Sequence, residues 1–564
     1  MQKKQTILVV ASLLVVVLSV TLAYFTAQII GKGKNVTINS ADLKIIFTDS
    51  DGSISGTNIE PGKWNVTKTF TIENKSNETY KYNIVIQNLV NTFVTEGYLQ
   101  YKITSTNGGY NMTEFKDIPK LSTPKDKILA YGVRIPVGVT QSYTVEFKYT
   151  NDESVDQSDD MGKKLSGTLF ITEGTEDIYA GYEEGTLGYQ IMGDNPKRST
   201  RSNNNNGTND FATPLTATTT GTLFTSTESI TGITDSPKEV YYYAGNTTNN
   251  WVKFGTFASE GPIRGYKSEK SSSFEEYTTL EECNSASSYN TNCSYAWRKG
   301  DPMYWRIIRT NHDGSIRLLY VGNSPDTTDG NIGESVFNTS QNSPKYVGYK
   351  YGEDTSLDTI RNNTTDSTIK VFIDSWYQNN LTNYTKYLST SAVYCNDRSL
   401  GTGQTYSVSS SSQFNFAPYY RMDWDTQGAK ANPSYNCTDI RDAFSVDNTS
   451  AKLTYPVSLV TSDEIAFAGG VALQFMNTPY AWFISNSAGT QASYSWWSLS
   501  PLDWKLSFSG AQRWISDWFN WGFESVKSAQ GVRPVISLKT CIKYGIGDGS
   551  ATNPYTILET ESGC

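Results

Sequence analysis

The 564-residue chain has one histidine, His312, and few charges: 47 Lys+Arg and 56 Asp+Glu make up 18% of it, for a net charge of −9. A single histidine excludes multi-histidine metal sites, and any Ser-His-Asp or Cys-His mechanism would have to run through it. The missing basic excess argues against nucleic acid as a partner, which would require a basic face. Cysteine is absent from the first 282 residues, and none of the six present forms a C-x-x-C pair, so neither a metal cluster nor any cofactor is expected. Aromatics are plentiful instead: 37 Tyr, 23 Phe and 13 Trp, or 13% of the chain. Little charge with so many rings excludes global disorder. At roughly 150 residues per domain, the length favours two or three domains.

The N-terminus points outside the cytoplasm. Lys3 and Lys4 precede an apolar run from Ile7 to Phe25, broken only by Ser12, Ser19 and Thr21. A basic start, an apolar middle and the small residues Thr21-Leu22-Ala23 describe a secretory signal. The run is also near the ~20 residues that span a bilayer, so residues 1–30 are read as either a signal peptide or a transmembrane anchor. Lys32 and Lys34 put charge on the far flank too, which leaves the choice open. An even cysteine count in an exported chain predicts disulfides. Of 15 connectivities, neighbour pairing is favoured: Cys283–Cys293, Cys395–Cys437 and Cys541–Cys564.

Between 35 and 174, alternating runs such as Thr67–Ile72, Tyr80–Ile86, Leu99–Ile103, Ser142–Phe147 and Gly167–Ile171 are separated by Gly, Asn and Asp. They predict half-buried antiparallel strands in a β-sandwich. Residues 175–237 carry an Asn tract (203–206), a Thr tract (218–220) and a basic spot at Lys197-Arg198-Ser199-Thr200-Arg201. This polar stretch reads as a linker with a solvated basic spot. From 238 onward strands and helices mix. Met303–Arg309 and Ile316–Tyr320 flank Asp313-Gly314, a hairpin signal. Ile369, Phe372, Ile373, Trp376 and Tyr377 form one helical stripe, while Thr461 and Glu464 form a capping box before a helix ended by Gly469-Gly470. The fold class expected is mainly β and multidomain, an antiparallel sandwich followed by an α+β domain at 238–564.

The leader end Leu22-Ala23-Tyr24-Phe25-Thr26, the segment Ile59-Glu60-Pro61-Gly62 and the run Val66 to Asn74 carry a resemblance over about the first 170 residues. There the chain resembles the camelysin/TasA-like surface and biofilm-fibre proteins of Gram-positive bacteria. That resemblance implies export and, as an alternative function, a fibre or envelope subunit that self-assembles through the sandwich. Further on, Trp305–Arg309 with Asp313-Gly314, Ile373–Tyr377, Cys395–Ser399, Asp463–Gly470, Trp496-Trp497 and Gly531–Leu538 match in order an uncharacterised domain of gut Firmicutes surface proteins. That domain is similar to the C-type-lectin-like and formylglycine-generating-enzyme-like folds. The Glu-Pro-Asn and Gln-Pro-Asp triplets of calcium-dependent lectins do not occur here. Nor do Asp49 with Asp51, Asp156 to Asp160 or Gly547-Asp548-Gly549 have an EF-hand register; they read as turns.

Seven of the thirteen Trp fall between Trp482 and Trp521. Trp496 and Trp497 sit in an apolar run and are expected in the core. Trp514, Trp518 and Trp521 lie among Arg513, Asp517 and Asn520, a mixture suited to binding a sugar or a protein. These six are the candidate ligand residues. Cys395 is expected to be a half-cystine, His312 to face solvent beside its turn, and Arg533 to anchor the last strand through carboxylates. Asp463-Glu464 is the one adjacent acidic pair in a motif, and the cap accounts for Glu464. The expectation is a non-enzymatic cell-surface or secreted adhesion protein whose partner is an extracellular glycan or protein, with the membrane as a further partner if the leader is retained.

Overall fold

A computed structural model of the chain describes residues 35–40, 43–49, 53–55 and 60–564, the last span excluding 96, 161–162, 205–207, 216–222, 246, 267–273, 287–291, 328–329, 410–411, 427, 473–494, 506–509 and 518–520. Over 35–55, 510–517, Trp521 and a few strand ends it describes the backbone alone. The leader expected at 1–30 and Trp482 lie outside the described residues. The fold is mainly β, with several antiparallel sheets and, among the described residues, no barrel. The chain divides into two compact units, the first ending at Ile178 and the second running from Tyr179 to Cys564.

The first unit contains β1 (Asn35–Ser40), β2 (Leu43–Asp49), β3 (Ser53–Ser55), β4 (Asn65–Asn74), β5 (Tyr80–Asn91), β6 (Leu99–Ser105), β7 (Lys116–Asp117), β8 (Leu121–Ile135), β9 (Thr140–Tyr149) and β10 (Leu165–Glu173). They form two antiparallel sheets, ordered β1-β2-β4-β9-β6-β7 and β3-β10-β5-β8. Every second residue of β9 is buried from Gln141 to Tyr149, as a period-2 strand with one wet face requires. Ile72 and Val145 of one sheet share a core with Ile84, Ile86 and Ile171 of the other, which makes the unit a sandwich. Its longest strand, β8, went unpredicted. Ser122 to Asp126 are exposed and Lys127 is half-buried, and a Pro with two Lys on an edge strand hides the β pattern while protecting that edge from association.

The second unit uses β11 (Ser199–Thr200), β12 (Leu223–Glu228), β13 (Lys238–Tyr243), β14 (Trp251–Thr256), β15 (Pro302–Thr310), β16 (Ile316–Gly322), β17 (Glu334–Val336), β18 (Gln413–Asn415), β19 (Val457–Ser458), β20 (Ser495–Lys505), β21 (Gly510–Asp517), β22 (Trp521–Ser525), β23 (Ala529–Gly531) and β24 (Val535–Leu538). Four of its helices matter here: α1 (Leu187–Asp194), α2 (Thr368–Asn380), α3 (Ala417–Arg421) and α4 (Ser462–Ala468). One eight-stranded sheet runs β11-β12-β13-β15-β16-β24-β19, with β14 also on β15. A second, six-stranded sheet runs β17-β23-β20-β21-β22, with β18 also on β20. Strands and segregated helices pack on one large core, with two smaller apolar clusters around Tyr242 with Phe467 and around Ile230 with Val393.

The linker expected at 175–237 is corrected from Tyr179 onward. Thr186 caps α1 by accepting from the Tyr189 N–H, and α1 buries Leu187, Ile191 and Met192. Strand β12 pairs along its whole length with β13. The few apolar residues of this stretch fall where a helix and a strand need them, and averaging composition over sixty residues conceals that. The basic spot is not simply solvated either: Arg201 lies over Phe211 at 4.3 Å and donates to the Phe467 carbonyl at 2.8 Å.

Other elements match the sequence. Helix α2 buries Ile369, Ile373, Trp376 and Tyr377. The capping box forms at α4, and Gly469, at φ 122°, ends the helix in a conformation that side chains avoid. All three disulfides form as neighbour pairs, Cys283–Cys293, Cys395–Cys437 and Cys541–Cys564.

Candidate functional site

Chemistry concentrates at two places in the second unit, one buried and one exposed. The buried one surrounds a cavity of about 20 Å³ lined by Glu228, Arg309, Arg317, Asp397, Arg421 and Asp463, among others. Strand β15 supplies Arg309, whose Nη2 donates to Glu228 at 2.8 Å and whose Nε donates to Glu464 at 2.9 Å. Strand β16 supplies Arg317, donating to the same Glu464 oxygen at 2.5 Å. From α3, Arg421 forks onto both oxygens of Asp463 at 2.8 and 3.0 Å and reaches Asp397 at 2.6 Å. The cavity has room for about one water.

Burial by itself would raise the carboxyls here, but the neighbouring guanidiniums outweigh it. Glu228, Glu464 and Asp397 are all held below the usual carboxylate range, Glu228 chiefly by Arg309 and Glu464 chiefly by Arg317. Each acid is ionised and spoken for by a cation, so this cluster is a scaffold of buried ion pairs. Asp463 is engaged by the Arg421 fork.

His312 corrects an expectation. Its side chain is only 8% exposed, its Nδ1 is 3.5 Å from Glu228, and its backbone N–H donates to that carboxylate at 2.6 Å. The cause is Glu228, which lies within the stretch expected to be a linker and is itself buried. Arg533, fully buried, donates from Nε to the Tyr320 carbonyl at 3.1 Å and lies over the Trp496 ring at 4.6 Å. Cys395 is a half-cystine. Asp548 accepts the Ser550 N–H at 2.9 Å, and Asp160 accepts from Val94, Thr95 and Tyr149, so both serve local structure. Among the described residues, no group of three or more His, Cys, Asp or Glu is placed to hold a metal ion.

The ion pairs predict the response to acid. In the second unit, Glu228, Asp313, Asp397, Asp439 (down to about 2), Glu464 and the exposed Asp548 are lowered, whereas Asp374, Asp442 and Asp503 are raised by burial. A lowered carboxyl stabilises the fold above its unfolded value near 4, and that contribution is lost as pH falls through its folded value; the raised ones act in the opposite sense. The raised ones act above the unfolded value, so the lowered carboxyls set the profile below about pH 4. Stability measured by urea titration is expected to fall steadily from about pH 4 to pH 2. A flat or rising profile over that window would contradict the ion-pair account.

The exposed place is the β21–β22 edge of the six-stranded sheet. Arg513, Trp514 and Asp517 lie on β21 and Trp521 on β22. Their register pairs Trp514 with Phe523, Arg513 with Glu524, and Ser516 with Trp521. Trp518 and Asn520 lie outside the described residues, as do the side chains of the other four. Trp496, Trp497 and Trp504 of β20 are fully buried, with the Trp497 Nε1 donating to the Ser335 carbonyl at 2.8 Å. The structure thus puts four of the six candidate residues on neighbouring strands.

Beside them is a group that the sequence reading missed. Phe523 of β22 and Tyr420 at the end of α3 are each 38% exposed. Trp424 is half-buried and meets Phe523 edge-on, centroids 4.9 Å apart at 72°. Tyr419 supports them from below, 5.3 Å from Tyr420 and 6.4 Å from Trp424. Its hydroxyl donates to Asp425 at 2.7 Å, and Gln404 Nε2 donates to the Tyr420 hydroxyl at 2.9 Å. Gly401 is required beneath Tyr420, because a Cβ there would collide with the ring. Rings a hundred residues apart in sequence leave no local pattern, which is why only the Trp cluster was visible.

No family model matches the chain, and no curated protein matches it. Among solved structures, it is similar to a ruminal GH26 endo-β-1,4-mannanase at 16% identity, over 28% of this chain and 36% of that one, with a TM-score of 0.14. It is also similar to the class 5 fimbriae chaperone CfaA at 12% identity, over 48% of this chain and 90% of that one, with a TM-score of 0.07. The chain spans about a third of the mannanase's length. Likeness at this level carries neither fold nor activity across.

Proposed function

We propose that the chain is a bacterial cell-surface or secreted adhesion protein that binds an extracellular glycan or protein through its second unit, without catalysing a reaction. The carrying observation is the β21–β22 edge, where the strands bearing Arg513, Trp514, Asp517 and Trp521 adjoin exposed aromatic rings. Large rigid rings with polar neighbours give contact area at small entropic cost. The buried carboxylates, by contrast, are engaged with arginines. Three disulfides fit an oxidising compartment, and the apolar run Ile7–Phe25 supplies the route out as a cleaved signal or a retained anchor. No helix among the described residues is long and apolar enough to cross a membrane. The C-type-lectin-like resemblance of residues 238–564 supports the same reading.

Glycan and protein arrays probed with the full chain test it. At least one ligand class is expected to be retained, and the Trp514→Ala/Trp521→Ala double variant to bind about tenfold more weakly or worse. Equal binding by a correctly folded double variant would overturn the assignment to this edge.

A further inference from the structure

We infer that Tyr420, Trp424 and Phe523 form a stacking subsite for a neutral pyranose unit of a polysaccharide. This deepens the binding reading above and rests on it. The first argument is size. Two rings 38% exposed and a third half-buried present on the order of 200 Å² of aromatic surface, since a ring of this kind offers about 150–250 Å² in all. A protein partner would need about 800 Å² on this side. One sugar ring needs far less.

The second argument is shape. Trp424 and Phe523 meet at 72°, so they form an angled cradle instead of a flat plate. A pyranose with equatorial substituents has an apolar C–H face to lay on one ring and hydroxyls pointing outward at its rim. The third is rigidity. Gln404 holds the Tyr420 hydroxyl, Asp425 holds Tyr419 beneath, and Gly401 lets the Tyr420 ring pack close, so little ordering is left for the ligand to impose.

Charge selects among sugars. Asp423 and Asp425 flank Trp424, and the whole chain carries −9. Carboxylates accept hydrogen bonds from hydroxyls but repel uronates, sulfates and phosphates. A neutral glycan fits, and an acidic one does not.

The test is native gel electrophoresis of the full chain through gels containing a galactomannan, a mixed-linkage β-glucan, a soluble starch or polygalacturonate. Retardation is expected in at least one neutral gel and absent in the acidic one. Phe523→Gln and Tyr420→Ala, both surface changes, are expected to weaken it about tenfold, and Trp424→Ala at least as much. Retardation by no neutral polysaccharide, or by polygalacturonate alone, overturns the inference. So does neutral-glycan binding that Phe523→Gln and Tyr420→Ala leave unchanged. If arrays return a protein ligand lost in Trp514→Ala/Trp521→Ala and no neutral gel retards the chain, the binding reading stands and the sugar subsite falls; if nothing at all is retained, both fall.

Discussion

Glu464→Ala is expected to destabilise the second unit by about 3–5 kcal/mol, the cost of leaving buried cations without their anion. Glu464, 1% exposed, accepts from Arg309 at 2.9 Å and from Arg317 at 2.5 Å, and its other oxygen accepts the Thr461 N–H at 2.9 Å. Its removal leaves Arg309 with Glu228 and takes the Glu464 carboxylate from Arg317, and it removes one half of the capping box at α4, while the Thr461 hydroxyl still accepts the backbone N–H of residue 464. Glu464→Gln keeps the shape and one acceptor and separates charge from cap: it should retain the cap bond yet lose most of the ion-pair stabilisation. Twelve of the thirteen Trp lie beyond Trp64, in the second unit, so Trp fluorescence in a urea titration reports this unit. A loss below about 1 kcal/mol for the alanine variant would mean that the cluster is hydrated and contributes little.

Replacing Cys395 and Cys437 with serine is expected to cost about 4 kcal/mol, from the loop-closure entropy of a disulfide at this separation. The two are 42 residues apart, and Cys395 lines the ionic cavity. Immediately after it, Asn396 accepts the Tyr349 N–H at 2.6 Å and Arg398 binds Asp442 at 2.6 Å. The bridge therefore pins the segment that organises the buried charges. The Cys283–Cys293 bridge spans 10 residues and should cost less, about 3 kcal/mol by the same reasoning. Denaturant titrations of both double-serine variants under oxidising conditions decide the order. If the short bridge matters as much as the long one, the entropic account fails.

How much was legible depended on whether the signal was local. Period-2 runs such as Thr140–Tyr149, the stripe of α2, the Thr461–Glu464 cap and the Asp313-Gly314 turn are local, and the chain folds as they indicate. Neighbour pairing of the cysteines also holds. The edge strand β8 escaped because its protective Pro and Lys suppress the alternation. The stretch around α1 and β12 escaped because a few well-placed apolar residues were diluted by Asn and Thr. The ion-pair cluster could not be read at all: Arg309 meets Glu228 across 81 residues and Glu464 across 155. His312 was misplaced for that reason, since its partner lay in the presumed linker. The Trp residues divide along the same line. Trp496 and Trp497, within an apolar run, are core, whereas the companions of the β21–β22 edge come from α3 and its following turn.

If the second unit binds without catalysing, through the aromatic edge at β21–β22, ligand retention and product release should separate. One paired measurement tests it most directly: incubate the full chain and its Trp514→Ala/Trp521→Ala variant with a panel of polysaccharides and extracellular proteins, and quantify both retained ligand and released reducing ends or cleaved peptide. The account predicts retention by the wild type, about tenfold less by the variant, and no product from either. Product released by the wild type, or retention identical in the two, would contradict it.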